Sequence, residues 1–129
     1  MTKSFLKVAA LSLLMLPTSV LLKAQNSPYS SYLFAFFSNN SPRGEQIRYA
    51  VSDDGFDYTS LNMGRPVVSS DTIAIKKSIR DPHIMRAEDG KTFYMVLTDM
   101  RSSQGWQSND GLILMKSTDL LHWEHTEID

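Results

Sequence analysis

The chain has no cysteine among its 129 residues. That excludes disulfides, thiolate metal sites and a lipid-modified cysteine at a leader cleavage site. A long apolar run is also missing. Residues 8–22 are apolar or small, but fifteen residues interrupted by Pro17 fall short of the roughly 20 that a spanning helix needs. Preceded by Lys3 and Lys7 and followed by Leu22-Lys23-Ala24, this run has the three-part form of a secretory signal peptide over residues 1–24, with cleavage near Ala24-Gln25. The expected destination is the periplasm or the exterior, with no stable membrane span after cleavage. An excess of positive charge is the third absence. Without Lys3, Lys7 and Lys23, the remaining segment of about 105 residues carries ten basic and fourteen acidic side chains, a net charge of −4. A nucleic-acid binder needs the opposite balance to displace counterions, so no nucleic-acid partner is expected.

What is present is a repeat. Tyr32-Leu33-Phe34-Ala35-Phe36-Phe37 leads through a polar loop, residues 38–46, into Ile47-Arg48-Tyr49-Ala50-Val51 and a turn at Ser52-Asp53-Asp54-Gly55, and ends in Phe56-Asp57-Tyr58. Phe93-Tyr94-Met95-Val96-Leu97-Thr98 leads through a longer polar loop, residues 99–111, into Leu112-Ile113-Leu114-Met115-Lys116 and a turn at Ser117-Thr118-Asp119. That second unit ends in Leu120-Leu121-His122-Trp123. A slide of 65 residues superposes Ser52 on Ser117, Asp54 on Asp119, Phe56 on Leu121 and Tyr58 on Trp123. The apolar runs are short, rich in aromatic and branched residues, and bounded by Ser, Asp, Asn and Gly, as strands are. The Ser-x-Asp turn has a mechanism, because short polar side chains bond nearby backbone amides and hold a tight reversal. Helical periodicity is weak. The fold class implied is all-β. Repeated four-stranded units suggest a partial β-propeller, with blade-like units at about residues 30–70 and 79–129, against the alternative of one small β-sandwich. A propeller needs at least four blades and about two are present, so the chain reads as the N-terminal part of a larger ring.

Between the units lies Arg80-Asp81-Pro82-His83, in an Ile-rich run that reaches a turn at Glu88-Asp89-Gly90. Proline disfavours helical angles in the residue before it, so Asp81 is expected in extended backbone. Pro82 lacks an N–H and belongs on an edge strand. Asp81 is therefore either a solvated edge charge or a carboxylate aimed into a cavity. Arg80 is a candidate for keeping it ionised, although neighbouring strand residues point to opposite faces.

From Ser78 to Glu124 the chain resembles the first catalytic blade of glycoside hydrolase family 43, five-bladed β-propeller enzymes acting on arabinose- and xylose-containing polysaccharides. The residues that carry the likeness are Ile79-Arg80-Asp81-Pro82-His83-Ile84, the Glu88-Asp89-Gly90-Lys91 turn with Phe93-Tyr94, and Ser117-Thr118-Asp119-Leu120-Leu121-His122-Trp123. The preceding Tyr32 to Leu61 stretch resembles an additional blade found in some relatives. The resemblance implies that Asp81 is the catalytic base of an inverting mechanism. It also implies that the general acid, a glutamate, and a second, tuning aspartate come from blades further along. Glu45 in a loop, Glu88 in a turn, and Glu124 and Glu127 after a last strand do not match that acid.

His83 and Trp106 are the candidate sugar contacts, each with a structural alternative: a partly buried histidine and a loop tryptophan covering the core. Trp123 and Tyr58 read as packing residues. His122 and His125 lack metal-ligand spacing, and Asp53-Asp54 lack the other oxygens of a calcium loop, so no metal or cofactor is expected. The expected partner is an oligo- or polysaccharide. Besides a glycosidase, a non-catalytic carbohydrate-binding module and an inert fragment remain open on sequence.

Overall fold

The computed structural model describes residues 29–128, and the signal-peptide reading of residues 1–24 lies outside them. The described chain is all-β, in two antiparallel sheets. The first contains β1 (Tyr32–Phe36), β2 (Arg48–Ser52) and β3 (Thr59–Ser60), in that order. The second contains β4 (Ile79–Arg86), β5 (Phe93–Asp99), β6 (Gly111–Ser117) and β7 (Glu124–Ile128), again in sequence order. A four-stranded meander like the second sheet is the unit from which propeller blades are made, and it and the three-stranded first sheet are compatible with a partial propeller. The helical content of the described residues is two single turns of 3₁₀ helix, Asn62–Gly64 and Ser102–Gln104.

One core lies between the sheets. Ala35, Ile47 and Tyr49 come from the first unit, Val68, Ile73 and Ala74 from the connector, and Ile79, Met95, Leu97, Ile113 and Met115 from the second sheet. On β5 and β6 burial alternates, with Met95, Leu97, Ile113 and Met115 inward and Tyr94, Leu112 and Leu114 outward. That period of two is what a sheet with one covered face requires. Trp123 packs against this core, as its sequence position suggested. Tyr58 does not reach it. Its ring lies 5.6 Å from Phe34 on the exposed face of the first sheet.

The repeat holds atom for atom at the turns. Ser52 Oγ donates to Asp54 Oδ1 at 2.8 Å and accepts from the Gly55 amide at 2.8 Å, while Asp54 Oδ1 accepts from the Phe56 and Asp57 amides at 2.8 and 3.0 Å. In the second unit Ser117 Oγ donates to Asp119 Oδ1 at 3.1 Å and accepts from Leu120 at 2.9 Å, and Asp119 Oδ1 accepts from Leu121 and His122 at 2.8 Å each. Gly55 at φ 82° and Leu120 at φ 66° occupy the same left-handed position. These turns extend through residues 58 and 123, so the last strand of each unit starts one residue later, at Thr59 and Glu124. The sequence had placed those strands within the aromatic runs, and Glu124 and Glu127 after the last one. Both glutamates lie on β7 itself. The repeated elements are β1-β2-β3 and β5-β6-β7, so the first unit is three-stranded and β4 is additional to the second.

Amide donors leave a mark on the turn acids. Hydrogen bonds from the Phe56 and Asp57 amides and from Ser52 lower the Asp54 carboxyl from 3.8 to about 2. Thr92, through its hydroxyl and amide, and the Lys91 amide lower Asp89 to about 2. For a depressed carboxyl the stabilisation is fully present above the unfolded value and is lost as pH falls through the folded value. The amide chemical shifts of Phe56 and Thr92, followed by NMR in an acid titration, should therefore turn over near pH 2. A midpoint near pH 4 would show that the turns do not hold these carboxylates.

Candidate active site

Two polar loops and the start of β4 meet at one end of the two sheets. The loop from β1 to β2 supplies Asn40 and Glu45, the loop from β5 to β6 supplies Ser102 and Trp106, and β4 supplies Arg80 and Asp81. Loops carried on a rigid scaffold are the usual seat of binding and catalytic groups.

β4 is an edge strand, as Pro82 requires. Its pairing with β5 is interrupted at Asp81. Arg80 faces Thr98 and His83 faces Val96, so Asp81 and Pro82 together oppose Leu97 alone, which is a β-bulge. Asp81 takes φ 49°, in the left-handed region, and not the extended backbone expected before a proline. Aspartate is among the few residues that tolerate this region, because its short polar side chain bonds locally. Here the Asp81 carboxylate accepts a hydrogen bond from Thr98 Oγ1 at 3.0 Å and is otherwise exposed. Such strain persists only where the surroundings over-determine it, and it collects at functional sites.

The residue before Asp81, Arg80, is held in a buried network. Its Nη1 donates to Glu45 Oε1 and to Asn40 Oδ1, each at 2.9 Å, and both charged side chains are almost fully buried. Glu45 also accepts from the Ser102 amide at 3.0 Å and from the Ser78 hydroxyl in a short hydrogen bond. Burial on its own raises the Glu45 carboxyl; the hydrogen bonds from Ser102, Ser78 and Arg80 outweigh it, and the net shift is downward. Gly44 precedes this glutamate under close constraint. A Cβ placed there would lie 2.1 Å from Asn39 Oδ1 and 2.5 Å from the Asn39 carbonyl oxygen, so the loop closes only with glycine.

The three sequence-level candidates are not all gathered. Asp81 and Trp106 are connected through Arg80, whose guanidinium carbon lies 5.4 Å from the centre of the Trp106 ring and 4.5 Å from that of Phe37. Trp106 is 70% exposed and so does not cover the core. His83 is exposed, not partly buried. It faces Val96 and borders an apolar cleft with Met85, Tyr94 and Leu114, further along the sheet. No cluster of three or more metal-ligating side chains occurs among the described residues.

Comparison with known proteins places this arrangement. A family model described as a probable glycosyl hydrolase domain, related to glycoside hydrolase family 43, matches residues 27–129. The chain belongs to this glycosyl hydrolase family. It is also 29% identical over 115 residues to an α-L-arabinofuranosidase of Bifidobacterium longum subsp. longum. That alignment covers 83% of this chain and 11% of the relative, so the chain spans about a ninth of the length of the curated protein it matches. In this glycosyl hydrolase domain the sequence reading missed Glu45. It had been set aside as a loop acid, and nothing in Gly44-Glu45-Gln46-Ile47 signals that the carboxylate is buried beneath the base of β4. Asn40 and Ser102, its neighbours in the network, are equally silent in sequence.

Proposed function

We propose that this domain supplies the catalytic base of an exported glycoside hydrolase that cleaves arabinosidic or xylosidic bonds with inversion. The observation that carries the reading is Asp81: an exposed carboxylate held in left-handed backbone at an edge-strand bulge, in a chain of this family. In an inverting mechanism such a carboxylate takes a proton from water as that water attacks the anomeric carbon. A protonated acid on the other side of the sugar, roughly 6.5–9.5 Å away, gives its proton to the departing oxygen. No glutamate among the described residues is placed for the second role. Glu45 is buried in its ion pair, Glu88 sits in a turn, and Glu124 and Glu127 lie on β7, the edge strand opposite β4. The acid therefore comes from outside these residues, in keeping with the small share of the relative that the chain spans. The residues 1–24 leader pattern supports export.

The test is hydrolysis of an aryl α-L-arabinofuranoside and an aryl β-xyloside by the protein expressed from its complete reading frame, with the first-formed anomer followed by NMR. Release of sugar with inverted configuration is expected. A retained configuration would overturn the role of Asp81 as a base, and no release from either substrate would overturn the glycosidase reading. The exposure of Trp106 favours one second reading, a carbohydrate-binding module without turnover. Calorimetric binding of arabinan or xylan by a protein that hydrolyses neither would support it.

A further inference from the structure

Arg80 does more than balance Glu45. Arg80 as a residue is 6% exposed, its Nε has no hydrogen-bond acceptor, and two aromatic rings, Phe37 and Trp106, lie against its guanidinium. The fork is thus divided, with Nη1 committed to oxygen and the remainder held by ring contacts. Trp106 sits near the tip of a loop that is closed on itself: the Ser108 hydroxyl donates to the Arg101 carbonyl at 2.7 Å, and the Ser108 amide donates to the Gly105 carbonyl at 3.1 Å. Gly105, immediately before the tryptophan, has φ 95°, which a side chain rarely permits. The loop is pinned to the first unit through the Ser102 amide on Glu45 and the Ser102 hydroxyl on the Asn40 carbonyl at 3.1 Å. The same Glu45 oxygen that receives Arg80 therefore also receives the loop that carries Trp106.

We propose that Arg80, anchored by Glu45, is a positioning residue that holds the Trp106 indole as a stacking platform for a sugar ring. The proposal deepens the glycosidase reading and rests on it for the identity of the ligand. The physical reason is preorganisation. An exposed indole on a loop loses rotamer and loop freedom when a sugar stacks on it, and a cation held against the ring removes that freedom beforehand. Lysine cannot replace arginine here, because a point charge has no planar face to set against two rings while bonding two oxygens.

The protein expressed from its complete reading frame and labelled with 5-fluorotryptophan offers a direct test. The ¹⁹F signals of Trp106 and Trp123 are assigned with Trp106→Phe and Trp123→Phe. Arabino- and xylo-oligosaccharides are the probes. One of them is expected to move the Trp106 signal and leave the Trp123 signal in place. Arg80→Lys should shift and broaden the Trp106 signal before any sugar is added, and weaken binding roughly three- to tenfold. Trp106→Ala should weaken binding at least as much, with no further loss in the double variant. The signal of Trp123, which packs against the core, reports whether each variant remains folded. If Arg80→Lys does not fold, Asn40→Ala at an exposed position removes one acceptor from Arg80 and should change the same Trp106 signal in the same sense. Unchanged Trp106 signal and affinity in the folded Arg80 or Asn40 variant would overturn the proposal, as would losses that simply add. Coupled loss of binding in a protein that hydrolyses neither glycoside would overturn the glycosidase reading while supporting the positioning role. Turnover without coupling would do the reverse.

Discussion

Glu45→Ala is expected to cost about 3–5 kcal/mol of stability, because it leaves the Arg80 guanidinium buried without its counter-ion. A domain of this size holds roughly 5–15 kcal/mol in all, so the variant should melt far below the wild type or fail to fold. The loss is larger than the net worth of the ion pair. In the native state Glu45 repays its own desolvation with several contacts, from Arg80, Ser78 and the Ser102 amide. Truncation removes the acceptor of the Ser78 and Ser102 donors and leaves Arg80 Nη1 with Asn40 alone. Glu45→Gln should cost less, since an amide oxygen still accepts while the charge is gone. The decisive comparison is the double variant Glu45→Leu/Arg80→Met, which removes both charges and should recover much of what the alanine variant loses. Denaturant melts of the four proteins check this. If the double variant is no more stable than Glu45→Ala, the cost lies in the loops around the pair and not in an orphaned charge. Acid should expose the same pair: the Glu45 carboxyl is lowered, so its stabilisation is present above the ordinary value of 4.5 and fades as pH falls below it.

The parts of this structure that the sequence makes legible are local. Ser52 with Asp54, and Ser117 with Asp119, bond to amides within three residues, so their turns follow from residue type and spacing alone. The β5–β6 hairpin follows from two short apolar runs bounded by polar and turn residues, while which face is buried, that of Met95, Leu97, Ile113 and Met115, is not legible, because Tyr94, Val96, Leu112 and Leu114 on the other face are apolar as well. Membership of the family was legible because its motifs are contiguous. The conformation of Asp81 was not. The rule for a residue before proline is a local steric preference, and here it gives way at a bulge set by the pairing with β5, where Asp81 and Pro82 together oppose Leu97. Trp106 posed the same difficulty. Its choice between covering the core and facing solvent depends on Gly105, on Ser102 and on a guanidinium from another strand, none of which announces the others in the chain.

Asp81→Asn is expected to abolish most turnover while leaving the fold intact. A positioned general base contributes roughly 10²–10⁴ in rate, and an amide cannot accept the proton that the carboxylate takes from water. The kcat of the active protein should fall by about that factor. The substitution is a fair test because it preserves what the site demands of residue 81. Asparagine tolerates left-handed backbone as aspartate does, and its amide oxygen can accept the hydrogen bond from Thr98 at 3.0 Å. Alanine at the same position would confound the result, since it can do neither. Asp81→Gly separates strain from chemistry: it removes the Cβ that opposes φ 49°, so it should be at least as stable as the wild type and equally inactive as the asparagine variant. A stability gain with lost turnover would identify the bulge as strain retained for function. Turnover by Asp81→Asn within tenfold of the wild type would place the base on another residue, and the left-handed aspartate would then belong to the bulge alone.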